Sequence, residues 1–284
     1  MKMDPRCTDC LISRVALECR LCGADQDLTD RTIESCAELL KRISTEPLPH
    51  PVTASMVHRL AYSILGNPDP FRSLKEESTR QATEVCRRFR PMLVHFRDYV
   101  LASVIGNTFD YGVKTHEVAS DFSVKFHSSF SKGFAIDDTD RILGLTDRVV
   151  YLTDNCGEIV FDRLLLQYLR RRGSHITLVV RDAPILNDAT LEEARALGLE
   201  RFVDTIGTTG LGCEIGVRLE ALPRPISDAM QSCTLIISKG MANYESLSEY
   251  TNLPPVAYLM AAKCPPIAEE VGVPLGSLVA VLRE

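Results

Sequence analysis

Tryptophan is absent and aromatic residues make up only 6% of the 284-residue chain. A protein so poor in rings offers little platform for stacking nucleic-acid bases. Positive charge is also short, with 32 Lys and Arg against 38 Asp and Glu and a net charge of −6, so the whole-molecule field does not draw nucleic acid. The short basic stretches Arg87-Arg88-Phe89-Arg90 and Arg170-Arg171-Arg172 read as solvated helix ends. No apolar run approaches the roughly 20 residues of a membrane span, and the polar segment Met1 to Cys10 lacks the apolar core of a signal peptide, so a cytoplasmic protein is expected. Several motifs are missing as well. No G-x-x-x-x-G-K-[ST] occurs, Gly207-x-x-Gly210-x-Gly212 does not match G-x-G-x-x-G, and there is no G-x-S-x-G elbow. With six scattered histidines, His116 and His127 among them, no ligand set for a catalytic zinc is present.

Ten cysteines remain to be explained. They are not spaced like a secreted disulfide scaffold, and a chain of this length needs no such staples. Four form two pairs, Cys7-x-x-Cys10 and Cys19-x-x-Cys22. Together they would suit a tetrahedral zinc site. The spacer between them, Leu11 to Glu18, reads as helix, and on one continuous helix the four thiols spread over more than three turns at about 1.5 Å per residue. A four-cysteine site therefore needs a break in that helix. A second metal at Cys7 and Cys10 alone, a redox role, and incidental thiols all stay open.

The first half of the chain reads as helix. Amphipathic spacing places helices at 28–45, with Asp30 as N-cap, at 53–65, at 73–89, and at 91–104 starting from Pro91. Residues 115–134 are mixed. From Asp147 onward short apolar runs alternate with helices: strands at 148–153, 175–181, about 202–206, 233–238 and 255–261, and helices at 158–172, 188–197, 214–221 and 245–251. The alternation predicts an α/β fold, a Rossmann-like three-layer α/β/α core with a mostly parallel sheet, at 146–284, behind an N-terminal helical region at 1–145.

Such a sheet binds ligands at the carboxyl ends of its strands. Those ends carry Asp154-Asn155, then Asp188, then the loop Gly207 to Gly212, then Lys239 to Glu245, then Lys263. Asp154 and Asn155 alone are equally a helix cap or a ligand pair. With Asp188 they make a hard oxygen set suited to Mg²⁺ or Mn²⁺. Glycines such as Gly210 and Gly212 can present backbone N–H groups to phosphate oxygens, and lysines add point charges. The collection suits phosphoryl chemistry. Further upstream, Gly106-Asn107-x-x-Asp110 is either a helix C-cap or a second set of site oxygens.

These residues resemble a known family, the metal-dependent damage-control phosphatases formerly called domain of unknown function 89, and within it the subgroup with an N-terminal C-x-x-C. The resemblance rests on Cys7-x-x-Cys10, Gly106-Asn107-x-x-Asp110, Asp154-Asn155-x-Gly157-Glu158, Leu186-Asn187-Asp188-Ala189-Thr190, Lys239-Gly240-Met241-Ala242-Asn243-Tyr244-Glu245 and Ala262-Lys263-Cys264, six blocks in order. It implies a divalent metal (Mg, Mn, Co or Ni) at Asp154, Asn155 and Asp188, with Glu158, Lys239 and Lys263 in the catalytic machinery. Asn107, Asp110, Gly210, Gly212, Asn243 and Glu245 are the expected substrate-binding positions. The implied substrates are phosphate monoesters of sugar phosphates or of damaged or excess phosphometabolites, and oligomeric state stays undetermined. Two rival readings are a regulatory protein that binds metal or phosphometabolite without turnover, and an S-adenosylmethionine-dependent methyltransferase, for which Asp154 to Glu158 supplies only one of the glycines a cofactor loop needs.

Overall fold

The computed structural model describes residues 3–43, 46, 48–108 and 119–284. The chain opens with α1 (Cys7–Leu21), α2 (Gln26–Ile43) and α3 (His50–Leu65), which pack around Val15, Cys19, Cys36, Leu40, Val57 and Ala61. The α1 helix runs unbroken from Cys7 to Leu21. Its two cysteine pairs therefore cannot close on one ion, because they stand at opposite ends of a rod about 20 Å long. Asp30 lies inside α2 rather than capping it; the cap is Asp25, whose Oδ1 accepts the Leu28 N–H at 2.8 Å. Pro51 sits in the first turn of α3, where its missing N–H costs nothing, and the helix accordingly starts three residues before the expected Thr53.

Next come α4 (Arg72–Phe89), α5 (Phe96–Thr108) and α6 (Ala119–Lys132). Pro91 falls in a 3-10 turn instead of starting a helix. The α5 helix begins only after Asp98 can accept the N–H groups of Val94 and His95, at 3.0 and 2.8 Å. The segment read as mixed contains α6, on which His127 is exposed. Asp110 and His116 lie outside the described residues.

The remainder alternates: β1 (Ile136–Asp137), α7 (Thr139–Leu143), β2 (Arg148–Leu152), α8 (Ile159–Arg171), β3 (His175–Val180), α9 (Leu191–Ala196), β4 (Thr205–Thr208), α10 (Arg224–Ser232), β5 (Leu235–Lys239), α11 (Gly240–Leu247), β6 (Val256–Ala261), α12 (Pro265–Val271) and β7 (Leu278–Arg283). The sheet order is β1-β7-β6-β5-β2-β3-β4, parallel from β6 through β4, with β7 antiparallel to β6. Period-two alternation sorts side chains onto two faces. Val149 and Tyr151 of β2 enter the core shared with α4, α5, α6 and α8, while Val150 and Leu152 enter the core under α10, α11 and α12. Close approach of α5 to α8 requires Gly106, where a Cβ would lie 3.0 Å from Phe161 Cδ2 and 3.3 Å from the Glu158 backbone.

Several expected elements shift. Residues 214–221 hold only a 3-10 turn at 219–221, because Gly216 has φ +74° and no room for a Cβ beside Ser246 Oγ. The helix comes afterwards, as α10. Residues 199–202 form another 3-10 turn, which delays β4 to Thr205. The α9 helix starts at Leu191 rather than 188, since Asp188 pairs in extended backbone with Asn155 and Thr190 makes a capping box with Glu193. Similarly, α11 starts at Gly240, directly on the end of β5. The chain reverses its order across the sheet between β2 and β5, so a crevice opens at their carboxyl ends.

Candidate active site

Asp154 and Asn155 follow β2 and face the start of α11, which follows β5. Gly240 is the contact point. It holds φ +74°, and a Cβ there would fall 2.0 Å from Asp154 Oδ2. A glycine is required both by the left-handed backbone and by the carboxylate pressed against it. Asn243, one turn later, donates its Nδ2 to the carbonyl oxygens of Thr153 and Lys239, at 2.9 and 2.7 Å, and so ties β2 to β5 at their ends. From the other side of the crevice, Asn155 bridges Asp188 in an isolated antiparallel pair, and the Ala189 N–H donates to the Asp154 carbonyl at 2.8 Å. Three strand ends, those of β2, β3 and β5, thereby converge on one carboxylate.

The Asp154 side chain is held from two directions. Asn107 Nδ2, at the end of α5, and Asn155 Nδ2 each donate to its Oδ2 at 2.8 Å. Its Oδ1 lies 3.9 Å from Arg181 Nη2. Arg181, at the end of β3, donates Nε to Asp188 Oδ2 and Nη1 to the Gly216 carbonyl, each at 2.6 Å, and is 2% exposed. Below this layer stands a second. Lys239 is fully buried, with its ammonium on Glu158 Oε1 and, at 2.8 Å, on Asp162 Oδ1. Ser103 Oγ donates to the same Asp162 oxygen at 2.6 Å, and Asn107 Nδ2 donates to Glu158 Oε2 at 2.7 Å. Glu158 is thus occupied on both oxygens, and Asn107 links the two layers together with Asn155, whose Nδ2 also donates to Glu158 Oε2 at 3.3 Å.

Burial and the neighbouring carboxylates of Asp188 and Glu158 push the Asp154 carboxyl well above the usual range, against the pull of Lys263 and Arg181. The four carboxylates Asp154, Glu158, Asp162 and Asp188 face the cations Lys239, Arg181 and Lys263, so a further cation would be stabilised there. Burial works against the Lys239 ammonium, but Asp162 and Glu158 outweigh it and hold its pKa above the usual value. Lys263, half-buried, donates to the Asn107 carbonyl at 2.8 Å. Cys156, next to Asn155, is pushed well above its ordinary range by burial, which leaves it a neutral thiol and a poor nucleophile.

The expected residues separate into three groups. Asp154, Asn155, Asp188, Glu158, Asn107, Lys239 and Lys263 form one connected cluster. In the glycine loop, Gly210 has φ +81° against Pro223, and the Gly212 N–H is donated to Asp182 Oδ2 at 2.8 Å, so that amide already has an acceptor. Glu245 turns instead to His50. Sequence reasoning missed Asp162, Arg181 and Ser103. Asp162 stands four residues after Glu158 on α8, which puts both carboxylates on one helix face amid a leucine-rich run. That isolated pair of charges was the available signal. Among the described residues no three His, Cys, Asp or Glu side chains are already gathered into a closed metal-ligand set. The oxygens of Asp154, Asn155 and Asp188 fit a hard cation in kind, and the crowding around Asp154 fits one in charge.

A family model described as the damage-control phosphatase ARMT1-like domain matches residues 3–279. The chain is 39% identical to a damage-control phosphatase of Archaeoglobus fulgidus over the full length of both proteins. It is 30% identical to a damage-control phosphatase of Pyrococcus horikoshii, over 98% of this chain and 97% of the relative. The crystal structure of a DUF89 family protein from Pyrococcus horikoshii superposes with a TM-score of 0.91 at 29% identity, covering 99% of each chain.

Proposed function

The chain belongs to the ARMT1-like damage-control phosphatase family, and from that premise we propose that it is a divalent-metal-dependent phosphatase acting on phosphate monoesters, of sugar phosphates or of damaged or excess phosphometabolites. The observation that supports the metal dependence is the crowding of acidic groups at Asp154, a buried carboxyl pressed against Gly240 with Asp188 and Glu158 as its neighbours. Asp154, Asn155 and Asp188 would hold an ion of the Mg²⁺, Mn²⁺, Co²⁺ or Ni²⁺ class. Such an ion supplies Lewis-acid neutralisation of the charge on the transferred phosphoryl group.

The chain's own residues do the rest. The two amides on Asp154 Oδ2 fix the carboxylate and leave Oδ1 outside their hydrogen bonds. Arg181 fixes Asp188 in the same way. Lys239 supports the site from beneath by neutralising Glu158 and Asp162, and the partial exposure of Lys263 favours it over the buried Lys239 as the lysine that meets a substrate phosphate. Attack proceeds either by water, with a site carboxylate taking its proton, or by a site aspartate giving an aspartyl-phosphate. Inversion at phosphorus identifies the first route and retention the second.

The test is a screen of metals against phosphate esters with purified full-length chain. Release of phosphate that depends on one of the four metals, and is lost in Asp154→Asn and in Asp188→Asn, is expected. No release from any sugar phosphate with any of these ions would sink the proposal, and tight ligand binding without hydrolysis would point to a regulatory protein instead.

A further inference from the structure

Among the described residues, Leu186 is the one non-glycine residue with a positive φ, at 47°. The left-handed region brings Cβ too near the following carbonyl oxygen, so a leucine stays there only where its surroundings hold it. The strained residue stands two positions before Asp188. Both belong to a tight turn in which the Asp188 N–H donates to the Ile185 carbonyl at 3.1 Å. Leu186 takes the first central position, where a positive φ is ordinarily left to glycine. The support comes from the other half of the chain. Tyr62 of α3 accepts the Leu186 N–H on its hydroxyl oxygen at 2.9 Å. Its phenol is itself fixed, being 6% exposed, with its ring 6.4 Å from that of His58, whose Nδ1 meets Glu18 Oε1 of α1 at 2.6 Å. Ile185 is fully buried in the core of α1, α2 and α3, and Leu186 packs against the same core. On its other side the turn meets the crevice: the Asn187 carbonyl accepts the Cys156 N–H at 2.9 Å, and Asp188 pairs with Asn155.

We infer that Tyr62 is a positioning residue for Asp188: its hydroxyl holds Leu186 in the left-handed conformation that sets Asp188 against Asn155, so the helical region governs how tightly the crevice takes its metal. The inference rests on the proposal that Asp188 is a metal ligand. Arg181 does a different job, since it holds one carboxylate oxygen of Asp188 and leaves the backbone free. Tyr62 acts on the backbone alone, from two residues away. The bond within the turn uses the Asp188 N–H, so the Leu186 N–H needs an acceptor from outside. Without the hydroxyl that N–H loses its partner and the strained φ loses its compensation. The turn then relaxes, and Asp188 moves with it. Groups that orient a metal ligand from behind tune affinity for the ion without touching it.

The experiment compares the full-length chain with Tyr62→Phe, which removes the hydroxyl and keeps the ring. Two readouts need no turnover: amide hydrogen exchange at Leu186, and Mn²⁺ affinity by titration calorimetry. Exchange at Leu186 should accelerate, and Mn²⁺ affinity should fall about tenfold or more, the scale for losing a group behind a metal ligand. Phosphate release should return at saturating Mn²⁺ with KM for the ester unchanged, a pattern that partial unfolding does not give. Adding Leu186→Gly to Tyr62→Phe should recover roughly threefold or more of the lost affinity, because glycine takes a positive φ without strain. Tyr250→Phe is the control. Its hydroxyl also accepts a backbone N–H, that of Leu219 at 3.3 Å, outside the Asp188 turn, and its loss should leave Mn²⁺ affinity unchanged. Unchanged exchange at Leu186 in Tyr62→Phe would overturn the positioning role whatever the metal does. Accelerated exchange with undiminished Mn²⁺ affinity would overturn the link to the ion. A wild-type chain that takes no Mn²⁺, Mg²⁺, Co²⁺ or Ni²⁺ would sink the metal reading of Asp188 and that link with it, an outcome told apart from the others because the exchange measurement needs no metal.

Discussion

Gly240 and Lys239 are neighbours with opposite constraints, one on space and one on charge. A methyl group at Gly240 cannot coexist with Asp154 where it stands, and the φ of +74° penalises any side chain besides. Gly240→Ala is therefore expected to lower stability by about 1–2 kcal/mol through backbone strain and to cut metal-dependent turnover at least tenfold by displacing the carboxylate. Activity within twofold of wild type would show that Asp154 need not stay in its crevice position. Lys239 neutralises two fully buried carboxylates. Removing it strands both charges, so Lys239→Met should cost about 3–5 kcal/mol in urea unfolding, and a loss below about 1 kcal/mol would show that water or another cation replaces it. The prominence of Lys239 in the sequence comes from its place at a strand end. Its actual partners were not legible there, because Asp162 and Ser103 reach it from helices remote in sequence.

The loop that carries Asp188 illustrates how secondary structure positions a ligand. Its backbone is extended at Asp188 and then captured by the Thr190–Glu193 capping box that starts α9. Glu193 also pairs with the buried Lys75 of α4 at 2.7 Å, and Lys75 with Asp69 at 2.9 Å. Lys75 thus anchors the cap from a different part of the chain. Lys75→Met is expected to destabilise by about 3 kcal/mol, the low end for breaking a buried pair because Glu193 is partly exposed, and Thr190→Ala by about 1 kcal/mol. Chemical denaturation of each variant checks both figures; additive losses in the double variant would show that Lys75 and the cap are uncoupled. The expected helix at 188–197 missed this start because apolar periodicity does not record where a backbone is held extended by tertiary pairing. Conversely, the Gly216 turn that displaced the helix at 214–221 follows from packing against Ser246, a contact invisible to local pattern.

Across the whole molecule, a ligand that binds only the folded state raises its stability by mass action. With Mn²⁺ or Mg²⁺ at a hundredfold excess over its dissociation constant, the gain is about 2.7 kcal/mol, which for a chain of this size is a rise in melting temperature of roughly 5 °C. The shift should vanish in Asp154→Asn and in Asp188→Asn; persistence in both would move the ion elsewhere. Among the described residues no helix is long and apolar enough to cross a membrane. The fold itself was largely readable in advance: the alternation after Asp147 already implied a parallel sheet, since a strand–helix pattern leaves few other ways to bury both faces. Missing from that reading were β1, two residues long, and β7, a terminal strand with no helix after it to mark it as part of the alternation. Chemical kind was likewise written in the chain, because Asp154, Asn155 and Asp188 are oxygen donors wherever they lie. Distance was not. The strand order that opens a crevice between β2 and β5 and the stacking of Lys239 beneath Asp154 through Asn107 both depend on segments that share no local signal. Local sequence sets which side chains an element presents, whereas the packing of its faces sets which of them meet.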